Sequence, residues 1–429
     1  MKKLLLGATV LAGLGVPAYA ASLNTIAIDA TGNGSNSAVQ SLSINQDDTA
    51  ASNTVSGNGR SGTSATQMPV RGTWNSIAIN QTGGKNTLQG AIKTSSGTGS
   101  TASLAASYLT TGTGANTHTL NIGGTTAPAN PSVTVYMKNN GAGANAVTDT
   151  LDGATLTYNL GLQGTGNSVT NNIAAGVGGI TLTQGGSAYG VASNYGVNGN
   201  NNAIDNELAS AGGNVTGSLM VSGGGNSITN TVTTTGGVVS LTQGGSGYGI
   251  TGGNNTVTNT IGQSDPVDSF THHLAVNGSG NTLTTTVDSA GDKVVDLSLL
   301  SSSSNNAVST TMGGGGAQTA NLSMAGSSYV DYAMTSAANG SYADVTLNSV
   351  TGVSGTPAVV RLEQTSGAPG ATAILAFNGG GYSMGVLGSV PGTYSASAAG
   401  VAVYQNSSGA YLNATVTAAS NGYTAKFTQ

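Results

Sequence analysis

Along much of the chain, apolar and polar residues alternate in short runs, the two-residue period of a β-strand that buries one face. The most regular runs are G-N-S-V-T-N-N-I (166–173), N-N-A-I-D-N-E-L (201–208), G-N-S-I-T-N-T-V (225–232), N-N-T-V-T-N-T-I (254–261), G-N-T-L-T-T-T-V (280–287) and N-N-A-V-S-T-T-M (305–312). Their anchoring asparagines, Asn167, Asn202, Asn226, Asn255, Asn281 and Asn306, are spaced by 35, 24, 29, 26 and 25 residues, and Asn116 and Asn145 extend the series upstream. A second set of apolar pairs is read as the other half of each repeat: Leu120/Ile122, Val133/Val135, Ile180/Leu182, Leu219/Val221, Val239/Leu241, Leu274/Val276, Leu297/Leu299 and Leu322/Met324. Each repeat then reads strand, Gly-rich turn, strand, Gly-rich turn. Neither strand can bury its apolar face alone, whereas stacked copies enclose a continuous narrow core. The pattern predicts an all-β chain, a β-solenoid of stacked two-strand coils with a period of about 25 residues. ITLTQGGSAYG (180–190) and VSLTQGGSGYG (239–249) lie 59 residues apart, as do Asn167 and Asn226, which points to duplication of a two-coil block.

A second spelling complicates the apolar faces. Two apolar residues and a glutamine alternate at Leu42/Ile44/Gln46, Ile77/Ile79/Gln81, Ile180/Leu182/Gln184, Val239/Leu241/Gln243, Val360/Leu362/Gln364 and Val401/Val403/Gln405. Strand alternation sends each amide inward with its apolar partners, where an unpartnered polar group costs about 1–3 kcal/mol. Stacking offers the remedy, because an inward amide can bond its equivalents in the coils above and below. Gln46, Asn75, Gln81, Asn86, Asn167, Gln184, Asn226, Gln243, Asn281, Gln364 and Gln405 are therefore the candidate ladder residues.

The stretch Asn75-SIAIN-Gln81-TGGK-Asn86-TLQGA-Ile92 resembles the curlins, whose repeat runs Ser-x5-Gln-x4-Asn-x5-Gln, with Asn75 at the first Ser and Ile92 at the last Gln. Looser elements of that repeat cover the rest of the chain, on a longer coil. The resemblance implies an extracellular amyloid or β-solenoid fibre subunit, exposed at the cell surface or in a biofilm matrix, acting in adhesion. The partners it implies are further copies or other fibre subunits; an outer-membrane exporter and polysaccharide are further candidate partners.

Residues 1–20 read as a signal peptide: Lys2 and Lys3, an apolar run from Leu4 to Val16, and a small-x-small ending at Ala18 and Ala20. That predicts a secreted, extracellular or cell-surface location. Curlin-like irregular coils are expected over 21–112, the regular array over 113–326, and a Tyr-rich β region over 327–429 that holds eight of the fifteen tyrosines and is a candidate cap. Composition agrees with a fibrous β protein: 6% of residues are charged, 4% aromatic, and 69 of 429 are glycine. Without cysteine there is no disulfide or thiolate metal site. The formal charge of −5 disfavours nucleic acid as a partner.

Catalytic and metal chemistry finds little support, and the chain reads as a non-enzyme without cofactor or metal. Gly57-Asn-Gly-Arg-Ser-Gly62 has the letters of a dinucleotide loop but no βαβ context. His272 and His273 are adjacent, so a strand sends them to opposite faces, and His118 is remote; all three read as surface residues. Glu207 and Glu363, the only glutamates, are too far apart in sequence to suggest a paired-carboxylate hydrolase. Outward positions carry Thr148/Thr150, Thr229/Thr231, Thr258/Thr260, Thr284/Thr286 and Ser309/Thr311, rows that resemble the flat faces of ice-binding solenoids. The leading expectation is a structural protein of the cell surface or matrix; a carbohydrate-binding solenoid and an ice-binding solenoid are the alternatives.

Overall fold

The computed structural model describes residues 23–27, 30–31, 41–56, 68–71, 76–93, 103–110, 116–122, 132–139, 144–184, 197–219, 221–243, 250–263, 269–299, 304–324, 327–336, 341–348, 359–366, 372–378, 400–406, 411–417 and 425–428, with side chains described mainly from 116 to 324. Residues 1–20, read as a signal peptide, lie outside them. The described residues are strands and turns without a helix, and every strand pairing is parallel. The protein is a β-solenoid.

Each coil supplies one strand to each of two parallel sheets. The first sheet stacks Ala146–Gln163, Ser168–Gln184, Ala203–Ser210, Ser227–Thr234, Thr256–Gln263, Thr282–Ser289 and Ser304–Gly313 through their N-terminal portions. The second stacks the C-terminal portions of the two long strands with Val215–Leu219, Val239–Gln243, Ser269–Asn277, Asp292–Leu299 and Gln318–Met324. Pairing continues across both proposed segment boundaries, Ser103–Thr110 with Ser132–Asn139 and Ser304–Gly313 with Ser327–Ser336. One assignment from the pattern is corrected: Thr117–Ile122, with Leu120 and Ile122, pairs with Ala146–Gln163 in the first sheet, because it directly follows a ladder asparagine, Asn116.

The core follows from register. On the first sheet the column Val147–Val169–Ile204–Ile228–Val257–Leu283–Val308 and the column Leu151–Ile173–Leu208–Val232–Ile261–Val287–Met312 are buried throughout. Facing them, Leu156, Ile180, Val215, Val239 and Phe270 stack on the second sheet. Burying one such side chain is worth about 1.5–3 kcal/mol, so every added coil deepens the same apolar seam.

The turns explain the glycine content. Entering the first sheet, Gly199, Gly223 and Gly252 sit at φ 139°, 121° and 125° directly over the carbonyl of the glycine one coil before. A Cβ there would lie 1.9–2.1 Å from that oxygen, closer than any real contact. The residue before five of the ladder asparagines is left-handed: Gly166, Gly225 and Gly280 at φ 74°, 70° and 71°, Asn201 and Asn254 at 57° and 59°. Glycine and asparagine are the residues that tolerate this region, which is why the repeats alternate between the spellings G-N and N-N.

Candidate functional site: ladders within, threonine ranks without

Two asparagine ladders run through the interior of the first sheet. In the outer one, Asn202 Nδ2 donates to Asn226 Oδ1 at 2.9 Å, Asn226 to Asn255 at 2.9 Å, Asn255 to Asn281 at 3.0 Å and Asn281 to Asn306 at 3.0 Å. The same oxygens accept the backbone N–H of the preceding asparagine, so each Oδ1 closes a fork of two donors. Asn116 Nδ2 bonds Asn145 Oδ1 at 2.7 Å, and the backbone N–H groups of Asn145 and Asn167 reach Asn167 and Asn202 Oδ1, which joins eight coils in one chain of amides. All these asparagines are buried. By backbone register the column continues upstream through Asn24, Asn53 and Asn86.

The second ladder, four residues further along each strand, runs Asn171 to Asn206, Asn230 and Asn259 at 2.8, 2.8 and 2.9 Å and ends on Thr285 Oγ1 at 3.4 Å. Sequence reasoning missed it, although the signal was present: an Asn-x3-Asn spacing places both residues on one strand face. Each of these side-chain rungs, in both ladders, donates toward the C-terminal coil.

The glutamines behave differently. Gln184 is in register with Leu160 and Leu219, and Gln243 with Leu274, so these register partners bring no amide beside either. Their shared spelling marks something else. Between Leu219 and Val221 lies one residue, whereas the equivalent positions Gln184 and Val197, or Gln243 and Ile250, are separated by 12 and 6 residues (185–196 and 244–249). Each glutamine stands where the chain leaves the sheet. Gln46 and Gln81 are in register with each other on the second sheet, and Gln364 with Gln405 on the first. One spelling therefore occupies three different columns. Gln364 is fully buried, and its Nε2 donates across the core to the carbonyls of Ser341 and Thr372 at 3.2 and 3.1 Å. Asn75 lies outside the described residues.

Among the described residues, ionisable groups enter the core at three places. His118 Nε2 lies 3.1 Å from Asp149 Oδ1, and Tyr158 OH donates to Asp149 Oδ2 at 2.6 Å, with both charged-type side chains at 0% exposure. Asp149 occupies the column of the second ladder, in register with Asn171. His272 is also buried, 6.2 Å from the ring of Phe270. Burial, with the neighbouring His273, pushes its pKa down to about 4, so it is neutral at ordinary pH. The surface reading of the histidines is thus corrected for His118 and His272: each sits at an inward strand position, and only His273 is exposed, 2.6 Å from Asp296. Lys293 stacks beyond Phe270, fully buried, and its Nζ donates to the carbonyls of Gly291, at 2.8 Å, and Gly315. Burial pushes this amine down to about 8 against the opposing pull of Asp292 and Asp288.

Outside, the first sheet carries three columns in register: Ser227–Thr256–Thr282–Ala307, Thr229–Thr258–Thr284–Ser309 and Thr231–Thr260–Thr286–Thr311. Their side chains are exposed or half-buried. Asp205 and Glu207 stand on the coil before this array and Asp331 on the coil after it. Among the described residues no three His, Asp or Glu side chains converge as metal ligands do.

Searches of family models, of curated proteins and of solved structures match nothing to this chain.

Proposed function

We propose that this protein is a secreted structural subunit of the cell surface or biofilm matrix, curlin-like, which promotes adhesion by stacking or fibre assembly. The observation that carries the reading is the solenoid itself, with parallel coils following one another from Leu23–Ala27 to Ala425–Thr428. Among the described residues, the internal strands pair on both sides, and Tyr411–Thr417 and Ala425–Thr428 pair with one described neighbour each. An open strand edge presents a row of N–H and C=O groups that templates another strand, and few charges are available to repel a copy. A head-to-tail contact of this kind does not close on itself and generates filaments.

The test is electron microscopy of the purified protein together with seeded-growth kinetics. The reading expects unbranched filaments and a lag phase that preformed seeds abolish. A protein that stays monomeric at high concentration, with or without seeds, overturns it.

A further inference from the structure

The outer face of the first sheet has no part in end-to-end stacking, and its chemistry is distinct from the rest of the surface. Over the four coils from Ser227–Thr234 to Ser304–Gly313, the two central columns are Thr229, Thr258, Thr284 and Ser309, and Thr231, Thr260, Thr286 and Thr311: a hydroxyl at every position, and a methyl at all but one. Strand geometry sets the repeat of this array at about 4.8 Å from coil to coil and about 6.6 Å along each strand. We propose that this face is a water-ordering surface that docks crystalline ice.

Three features support that ligand over a macromolecule. The first is neutrality: no charged residue falls in the three columns over these coils, and Asp288 stands at the strand end, outside them. A face without ions or aromatic rings offers neither the charge pairs nor the stacking platforms by which proteins and sugars are recognised, whereas every Thr hydroxyl can bond water while its methyl excludes it. The second is fixed orientation. Thr is stiff at χ1, and Thr229, Thr231, Thr258 and Thr284 are half-buried among their neighbours, so the hydroxyls are held in rank. The third lies directly beneath. The rungs Asn226–Asn255–Asn281–Asn306 and Asn230–Asn259–Thr285 run under these same coils and tie each coil to the next by a side-chain hydrogen bond. A rigid two-dimensional repeat is what a crystal face can match and a disordered liquid cannot reward.

The inference is independent of whether copies associate. It is tested with ice as the probe: fluorescently labelled protein is offered to a slowly growing polycrystalline ice surface, and inhibition of ice recrystallisation is scored on the same samples. The intact protein should enter the ice and hold crystals small. Thr258→Lys with Thr286→Lys should be excluded from ice, and the milder Thr258→Val with Thr286→Val should lose part of the effect. Thr216→Lys with Ser323→Lys, at exposed positions of the second sheet, should behave as the intact protein. Circular dichroism shows which variants keep the fold, and the Val pair serves if the Lys pair does not. Exclusion of the intact protein overturns the proposal, as does equal loss from substitutions on both sheets. Loss of self-association without any ice uptake overturns it too, and assigns the face to a second copy.

Discussion

Asn255 is the rung on which the outer ladder can be tested most sharply, because its amide makes contacts in both directions. Its Oδ1 accepts from Asn226 N at 3.0 Å and Asn226 Nδ2 at 2.9 Å; its Nδ2 donates to Asn281 Oδ1 at 3.0 Å and to Gly223 O at 3.1 Å. Asn255→Ala deletes all four and leaves two buried donors on Asn226, and the acceptors Asn281 Oδ1 and Gly223 O, without the amide that joined them. A donor left unsatisfied costs about 1–3 kcal/mol, so the pair sets a loss of about 3–5 kcal/mol after partial relaxation. Thr260→Ala, an exposed change on the same coil, should stay within about 0.5 kcal/mol. Urea unfolding followed by circular dichroism gives the global difference, and hydrogen exchange of the amides between Asn226 and Asn281 shows whether opening is centred on the damaged rung, as nearest-neighbour stability in a repeat stack requires. A loss below about 1 kcal/mol for Asn255→Ala, or one equal to that of Thr260→Ala, would refute the idea that the ladder holds the coils together.

Three further outcomes follow from the core and turns. His272 is neutral when folded, with its pKa lowered from 6.5 to about 4, so its stabilising contribution is complete above pH 6.5 and disappears as pH falls toward 4; the lost stability is about 3 kcal/mol, and urea midpoints measured across that window should lose this acid limb in His272→Leu. Lys293 is lowered from 10.5 to about 8, so the folded state sheds its proton first and stability should rise as pH climbs from 8 to 10.5, a rise that thermal melts of Lys293→Met should lack. Gly223→Ala forces a Cβ to 2.1 Å from the carbonyl of Gly199 at a φ of 121°, and should abolish the cooperative melt of the array, whereas Asn254→Gly, at a φ of 59°, should leave the melting temperature nearly unchanged.

The fold was legible because its two determinants, strand period and turn residues, are both local. Val169, Ile173, Ile228 and Val232 could be assigned to one buried face from spacing alone. The outer ladder followed from recurrence, since only a residue satisfied by its own copies can be repeated at an inward position without cost. The glutamines were harder to place because their environment is set by the neighbouring coil: nothing local distinguishes Gln364, which bonds carbonyls across the core, from Gln184, whose register neighbours are leucines. The same holds for His118, Asp149 and Tyr158. Asp149 and Tyr158 lie nine residues apart on one long strand that turns between sheets, and His118 comes from the coil before, so their meeting is a product of three-dimensional stacking that no spacing rule encodes. Lys293 was masked by composition, since a lysine beside Asp292 reads as a surface pair until the register places it over Phe270.

The corner at which Gln184 and Gln243 leave the sheet makes the solenoid a rack with open slots. One residue suffices to pass from Leu219 to Val221, yet the coils on either side pass the same point with 12 and 6 residues and return to the same register at Val197 and Ile250. Because the outer ladder, the second ladder and the first-sheet threonines all lie elsewhere on the coil, sequence can be added at that slot without disturbing any of them. Length at this corner is thereby separated from support: one, 6 or 12 residues join the same two register positions, so an engineered epitope or binding peptide placed between Leu219 and Val221 should leave the register on both sides intact.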